Sequence, residues 1–137
     1  MDNSKLHIVA ITGYLRKGDQ FLILKRSPNE IAFPSKWTIP GGKVEGASSV
    51  VGTLKREILE ETGLGIKDKV DFFSESEFTR PDGYHVLVLS FICEYDSGEV
   101  QIEKDSFSEF AWINKETFTN YDLIEGIKKD FNLLFNK

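Results

Sequence analysis

The stretch GKVEGASSVVGTLKREILEETGL, residues 42–64, decides how this chain is read. Its second half has helical spacing: Val50, Val51, Leu54 and Ile58 fall on one side at about 100° per residue. Ser48 or Ser49 offers an N-cap and Gly63 a C-terminal glycine, so a helix is expected over residues 48–62. On that helix Glu57, Glu60 and Glu61 share an arc of about 100° that borders the apolar stripe. Like charges at this spacing repel by about 0.2–0.5 kcal/mol per pair. A carboxylate at the edge of a buried face needs a partner. Arg56 reaches Glu60 at i,i+4, but one cation does not answer three anions. One reading is a solvated acidic face laced by Lys55 and Arg56. The other is a site for a hard divalent cation supplied from solution. The preceding Pro40-Gly41-Gly42-Lys43-Val44-Glu45 favours the second, because its glycines let backbone approach closely and a free carbonyl there completes an oxygen-rich site.

Working outward, residues 6–15 (LHIVAITGYL) are rich in β-branched and apolar residues and read as a buried strand. Lys17-Gly18-Asp19 is a turn, and residues 21–25 (FLILK) form a second strand, giving a hairpin or near neighbours. Residues 27–36, with Pro28 and Pro34, are loop. Residues 37–39 are a short extended piece that Pro40-Gly41-Gly42 ends in a tight turn. Further strands are expected over residues 72–78, 84–94 and 107–113, and an amphipathic helix over residues 121–135. Strands, helix, strands and helix in that order point to an α+β fold rather than a regular βαβ array.

The 137 residues are expected to form one domain, 1–137, long enough for a core without disulfides or a structural metal. The net charge of −5 and the absence of a basic cluster argue against a nucleic-acid polymer as partner. One cysteine, Cys93, permits no internal disulfide and fits a reducing compartment; it reads as an inert buried thiol. The start, MDNSKLHIVA, lacks the apolar core of a signal peptide, and the longest apolar run, residues 86–93, is too short to cross a membrane. A cytoplasmic protein without membrane contact is expected. His7 and His85 are isolated in sequence and read as structural.

Residues 42–64 resemble the Nudix box: glycine, five residues, glutamate, seven residues, then R-E-U-x-E-E-x-G-U with U aliphatic. Gly42, Arg56, Glu57, Ile58, Glu60, Glu61, Gly63 and Leu64 match at that spacing. The strand ending in Lys25-Arg26, the WTIPGGKVE lead-in and the late SEFAWI are also similar to the family. One position departs: Ser48 stands where the family has its first box glutamate, which there holds the arginine. Ser48 is then read as the helix cap, with Glu45 as a substitute partner for Arg56.

The resemblance implies a Nudix fold, a mixed β-sheet sandwiched between α-helices, and hydrolysis of a phosphoanhydride in a nucleoside diphosphate derivative. It implies that Glu57, Glu60, Glu61 and the Gly41 carbonyl bind Mg²⁺, with Mn²⁺ as an alternative, and that Arg56 orients the glutamates. Glu109, in SEFAWI, is the candidate general base, with Asp105 a competitor. Arg26 is placed on the substrate phosphates, and Asn120 with Tyr121 in the base pocket. The leading expectation is a nucleoside triphosphate pyrophosphohydrolase of the compact MutT type, working on a small nucleotide as a monomer or homodimer. An ADP-ribose or nucleotide-sugar pyrophosphatase, suggested by Pro81, and a non-catalytic nucleotide sensor, suggested by Ser48, are the alternatives.

Overall fold

A computed structural model describes residues 6–136; residues 1–5 and 137, which the single-domain expectation also covers, lie outside the described residues. The elements run β1 (His7–Lys17), β2 (Gln20–Arg26), β3 (Trp37–Thr38), β4 (Gly41–Lys43), α1 (Val50–Thr62), β5 (Gly65–Thr79), β6 (His85–Ser97), β7 (Phe107–Ile113) and α2 (Glu125–Phe135). The strands form one mixed sheet in the order β3-β2-β1-β6-β5, with β4 also paired to β1 and β7 to β2. Strands β1 and β6 are parallel, from His7 beside His85 to Arg16 beside Glu94; the other pairings are antiparallel. Among the described residues no helix is long and apolar enough to cross a membrane.

Alternation along the strands gives each sheet face its own core. On one face Ile11, Leu15, Leu22, Leu24, Phe91 and Cys93 pack against Leu54 and Ile58 of α1. On the other, Tyr14, Phe21, Ile23 and Ile113 pack with Phe131 of α2. The mixed sheet between helices is the α+β arrangement expected. Helix α1 settles close to β1 because Gly13 has no side chain: a Cβ there would lie 3.0 Å from Ile58 Cδ1 and 3.1 Å from Cys93 Sγ.

Several boundaries differ from expectation. Gly41–Lys43 is not a tight turn but a strand, matched Ala10 to Lys43 and Thr12 to Gly41. Strand β5 begins at Gly65, well before Phe72: Ile66 and Val70 pair with Tyr95 and Cys93 of β6 and pack on the α1-side core, while the charged residues between them are exposed. Helix α2 begins at Glu125, not at residue 121: Leu123 is drawn into a bridge with Trp37, and a 3₁₀ turn at Phe118–Asn120 precedes it. His7 and His85, isolated in sequence, meet across β1 and β6 with ring centroids 5.4 Å apart and planes tilted by 32°.

Candidate active site

Helix α1 is fixed at both ends. Ser49, not Ser48, is the N-cap, its Oγ accepting from the Gly52 N–H at 2.9 Å. Gly63 closes the helix with φ 77° and donates to the Leu59 carbonyl. The remaining C-terminal carbonyls take donors from the segment that crosses the helix end: Gln101 N–H to Thr62 O at 2.8 Å and Glu103 N–H to Glu61 O at 3.0 Å. Leu54 and Ile58 turn inward, and so the neighbouring glutamates face the short strand β4.

Strand β4 is built to receive them. At Gly42 a Cβ would lie 2.3 Å from Glu57 Cδ, so only glycine leaves room for that side chain. At Gly41 a Cβ would lie 2.4 Å from the Ile11 carbonyl oxygen. The Gly41 N–H donates to Glu61 Oε1 at 2.8 Å. Backbone bonds from Gly13 N–H to Pro40 O and from Val44 N–H to Val9 O flank the Thr12–Gly41 pair. That register makes Thr12–Gly41 a pair without mutual hydrogen bonds, so both backbone polar groups of Gly41 point away from β1. The Gly41 carbonyl therefore leaves on the edge where its N–H meets Glu61.

The acidic charge is compensated only in part. Glu61 is pushed up from 4.5 to about 8, chiefly by burial and then by the charges of Glu57, Glu103 and Glu60; the Gly41 N–H pulls the other way. Arg56 pairs with Glu57 at 3.3 Å, not with Glu60, and its other amino group donates to Ser48 Oγ at 3.3 Å. Ser48 thus keeps a contact to Arg56 where a cap was expected, and Glu45 is exposed. Lys55, expected to lace the acidic face, pairs instead with Asp68.

In donor chemistry these groups fit a hard divalent cation: three glutamates and a backbone carbonyl on one edge, with a repelled, half-buried carboxyl among them. Among the described residues, no three carboxylates converge closely enough to hold one ion as they stand.

The remaining candidates are spread more widely. Glu109 sits on β7 beside Lys25 of β2, paired at 3.2 Å and half exposed. Asp105 is exposed on the loop before β7. Arg26 donates to the Ala32 carbonyl at 2.8 Å and to Glu30 at 3.3 Å, and lines a cavity of about 730 Å³ with Lys43, Arg80 and Pro81. Asn120 is exposed at the end of the 3₁₀ turn, and Tyr121 packs edge-on against Trp37 with centroids 4.9 Å apart. Sequence reading missed Glu103. It joins the cluster through its backbone bond to Glu61 and is oriented by Ser106 Oγ, which donates to Glu103 Oε1 at 2.6 Å. Its only sequence signal is a position four residues before the start of the strand that carries Glu109.

Comparison with known proteins gives a consistent result. The model of the NUDIX domain matches residues 6–134. Similar curated proteins include the nucleoside triphosphatase NudI of Escherichia coli, 30% identical over 122 residues, covering 82% of this chain and 86% of that one. The same enzyme from Escherichia fergusonii is 29% identical with the same coverage. Among solved structures, the MutT protein of Methanosarcina mazei Go1 superposes with TM-score 0.76 at 25% identity, covering 95% of this chain and 94% of that one. A MutT NUDIX hydrolase from Burkholderia pseudomallei gives TM-score 0.77 at 20% identity, covering 93% and 98%, a likeness of fold.

Proposed function

The chain belongs to the Nudix family of hydrolases, and we propose that it is a nucleoside triphosphate pyrophosphohydrolase releasing a nucleoside monophosphate and pyrophosphate. One observation carries this reading. A half-buried glutamate, Glu61, is crowded by three other carboxyls and held by the backbone of Gly41. Such a cluster meets an anionic substrate only through a cation. The relatives named nucleoside triphosphatase support the choice of substrate class.

Nudix hydrolases need a divalent metal; the all-oxygen donor set favours Mg²⁺, with Mn²⁺ as the alternative. Glu57, Glu60, Glu61 and the Gly41 carbonyl would hold it. Bound there, it offsets phosphate charge and acidifies water. Arg56 fixes Glu57, and Gly42 gives that side chain its seat. Glu103 is placed beside Glu61 to take a proton from the attacking water, with Glu109 second because Lys25 already engages it. Arg26, with Lys43 and Arg80 around the same cavity, meets the phosphate chain. We place the protein in the cytoplasm as one domain, a monomer or homodimer.

Product analysis tests the reading. Nucleoside triphosphates, ADP-ribose and nucleotide sugars are incubated in Mg²⁺ and in Mn²⁺, and phosphorus NMR identifies what is released. Monophosphate and pyrophosphate from triphosphates are expected. Turnover of ADP-ribose or nucleotide sugars alone would overturn the substrate class.

A further inference from the structure

On the sheet face opposite α1 lies a cavity of about 510 Å³ between the sheet and α2. Its size suits a nucleoside, and its lining mixes apolar side chains with hydroxyls and the charged Glu75, Lys129 and Asp130. Ile39 and Ile127 belong to the walls, and Thr12 of β1 to the floor. Thr12 is also the strand partner of Gly41, whose N–H meets Glu61. A nucleotide whose base fills this cavity therefore needs only the width of one strand pair to bring its phosphates to the acidic edge.

Three elements converge on one side chain in this cavity. Asp130 of α2 accepts from the Tyr14 hydroxyl of β1 at 2.6 Å and from Ser74 Oγ of β5 at 3.0 Å. Both donors bind Oδ2; among the described residues, Oδ1 receives no hydrogen bond. Asp130 is half-buried and lines the cavity, so its second oxygen is left to solvent or to a ligand that enters. Two of the hydroxyls that line the cavity, Thr12 Oγ1 and Ser90 Oγ, are bonded to each other at 2.7 Å. Burial, the bond to Asp130 and its charge all push the Tyr14 hydroxyl up, which keeps it a donor. The acceptor is thus held in place before any ligand arrives.

We propose that Asp130 is a specificity-determining residue whose Oδ1 accepts an N–H from the exocyclic amino group of the substrate base. The proposal rests on the hydrolase reading above. A base with an amino group completes the carboxyl; one with a carbonyl at that position sets acceptor against acceptor and leaves both unpaired. The enzyme then favours cytosine over uracil nucleotides and adenine over hypoxanthine nucleotides, by about tenfold to a hundredfold in kcat/KM.

The test compares kcat/KM for dCTP with dUTP, and for dATP with dITP, in the wild type, Asp130→Asn and Tyr14→Phe. Asparagine keeps an acceptor for Tyr14 and Ser74 but brings an amide donor, so the amino-to-keto ratio is expected to fall to about one or below. Tyr14→Phe keeps the acceptor and loosens it, so the ratio shrinks without inverting. Equal ratios in wild type and Asp130→Asn would overturn the proposal. Should Asp130→Asn fail to fold, calorimetric binding of dCMP and dUMP to the wild type decides, and equal affinities overturn it. Absence of turnover of every nucleotide would instead overturn the hydrolase reading, so the two failures are distinguishable.

Discussion

Two adjacent glycines in β4 make opposite predictions for the same small substitution. At Gly42 an added Cβ would lie 2.3 Å from Glu57 Cδ, 2.6 Å from its Oε2 and 2.7 Å from its Cγ. All three atoms belong to the far end of a flexible side chain, which can rotate away. The cost of a displaced rotamer is about 0.5–1.5 kcal/mol, offset by about 0.4–1 kcal/mol from the stiffer unfolded chain. Gly42→Ala should therefore melt within a few degrees of the wild type. Its activity should not survive so well, since Glu57 loses the seat that Gly42 and Arg56 give it. A misplacement of about 1 Å at a reacting centre costs on the order of a hundredfold, and a loss of that size in kcat/KM is expected. At Gly41 the same methyl would meet the Ile11 carbonyl oxygen at 2.4 Å and Thr12 Cα at 2.8 Å, both backbone. Nothing there can rotate, so β4 must leave β1. Gly41→Ala should cost about 1–3 kcal/mol or more in stability. Thermal unfolding and steady-state kinetics on both variants, side by side, read out the contrast. Full activity in Gly42→Ala, or melting of Gly42→Ala as low as Gly41→Ala, would refute the view of β4 as the seat of the acidic cluster.

Other consequences follow from the same geometry. In the unfolded chain Glu61 ionises near 4.5 and in the folded, metal-free chain near 8, so between those values the folded state holds the extra proton. The contribution of Glu61 to stability in chelator is then fully present below about pH 4.5 and is lost as pH rises toward about 8, by a few kcal/mol at most; the difference in melting between wild type and Glu61→Gln should follow this slope. Ser49→Ala removes the acceptor for the Gly52 N–H and should cost about 1 kcal/mol by denaturant unfolding. Cys93 is fully buried and its thiol is pushed up to about 12 by desolvation first and the Glu94 charge second. It should stay unreactive toward an aromatic disulfide at neutral pH and react stoichiometrically once the chain is unfolded.

Much of the fold was legible because local signals agreed with tertiary ones. Helix α1 carried its apolar stripe, a serine near its start and Gly63 at its end, and β7 matched its expected bounds of Phe107 to Ile113. Strand β4 was not legible. Gly41-Gly42-Lys43 has no alternating side chains to mark a strand; its pairing is imposed by residues 10–12 of β1. The early half of β5 hides because the exposed Lys67, Asp68 and Lys69 break the alternation, and the strand is carried across them by the pairing of Ile66 and Val70 with β6. Within the site, Glu57, Glu60 and Glu61 stood out by spacing. Glu103 did not, because it arrives through a backbone hydrogen bond between segments more than a strand apart. Asp130 was hidden in the same way: its partners Tyr14 and Ser74 lie far off in sequence, and a lone aspartate on an amphipathic helix reads as surface.

The most direct test of the central claim is the hydrolysis of nucleoside triphosphates in saturating Mg²⁺ by the wild type and by Glu60→Gln. Glu60 is exposed, so its replacement leaves the core and both helix caps in place. Turnover by the wild type is expected, with a fall of at least about a hundredfold in kcat/KM for the variant and an unchanged melting temperature. Comparable turnover by the two proteins would contradict the placement of the metal and the chemistry on α1.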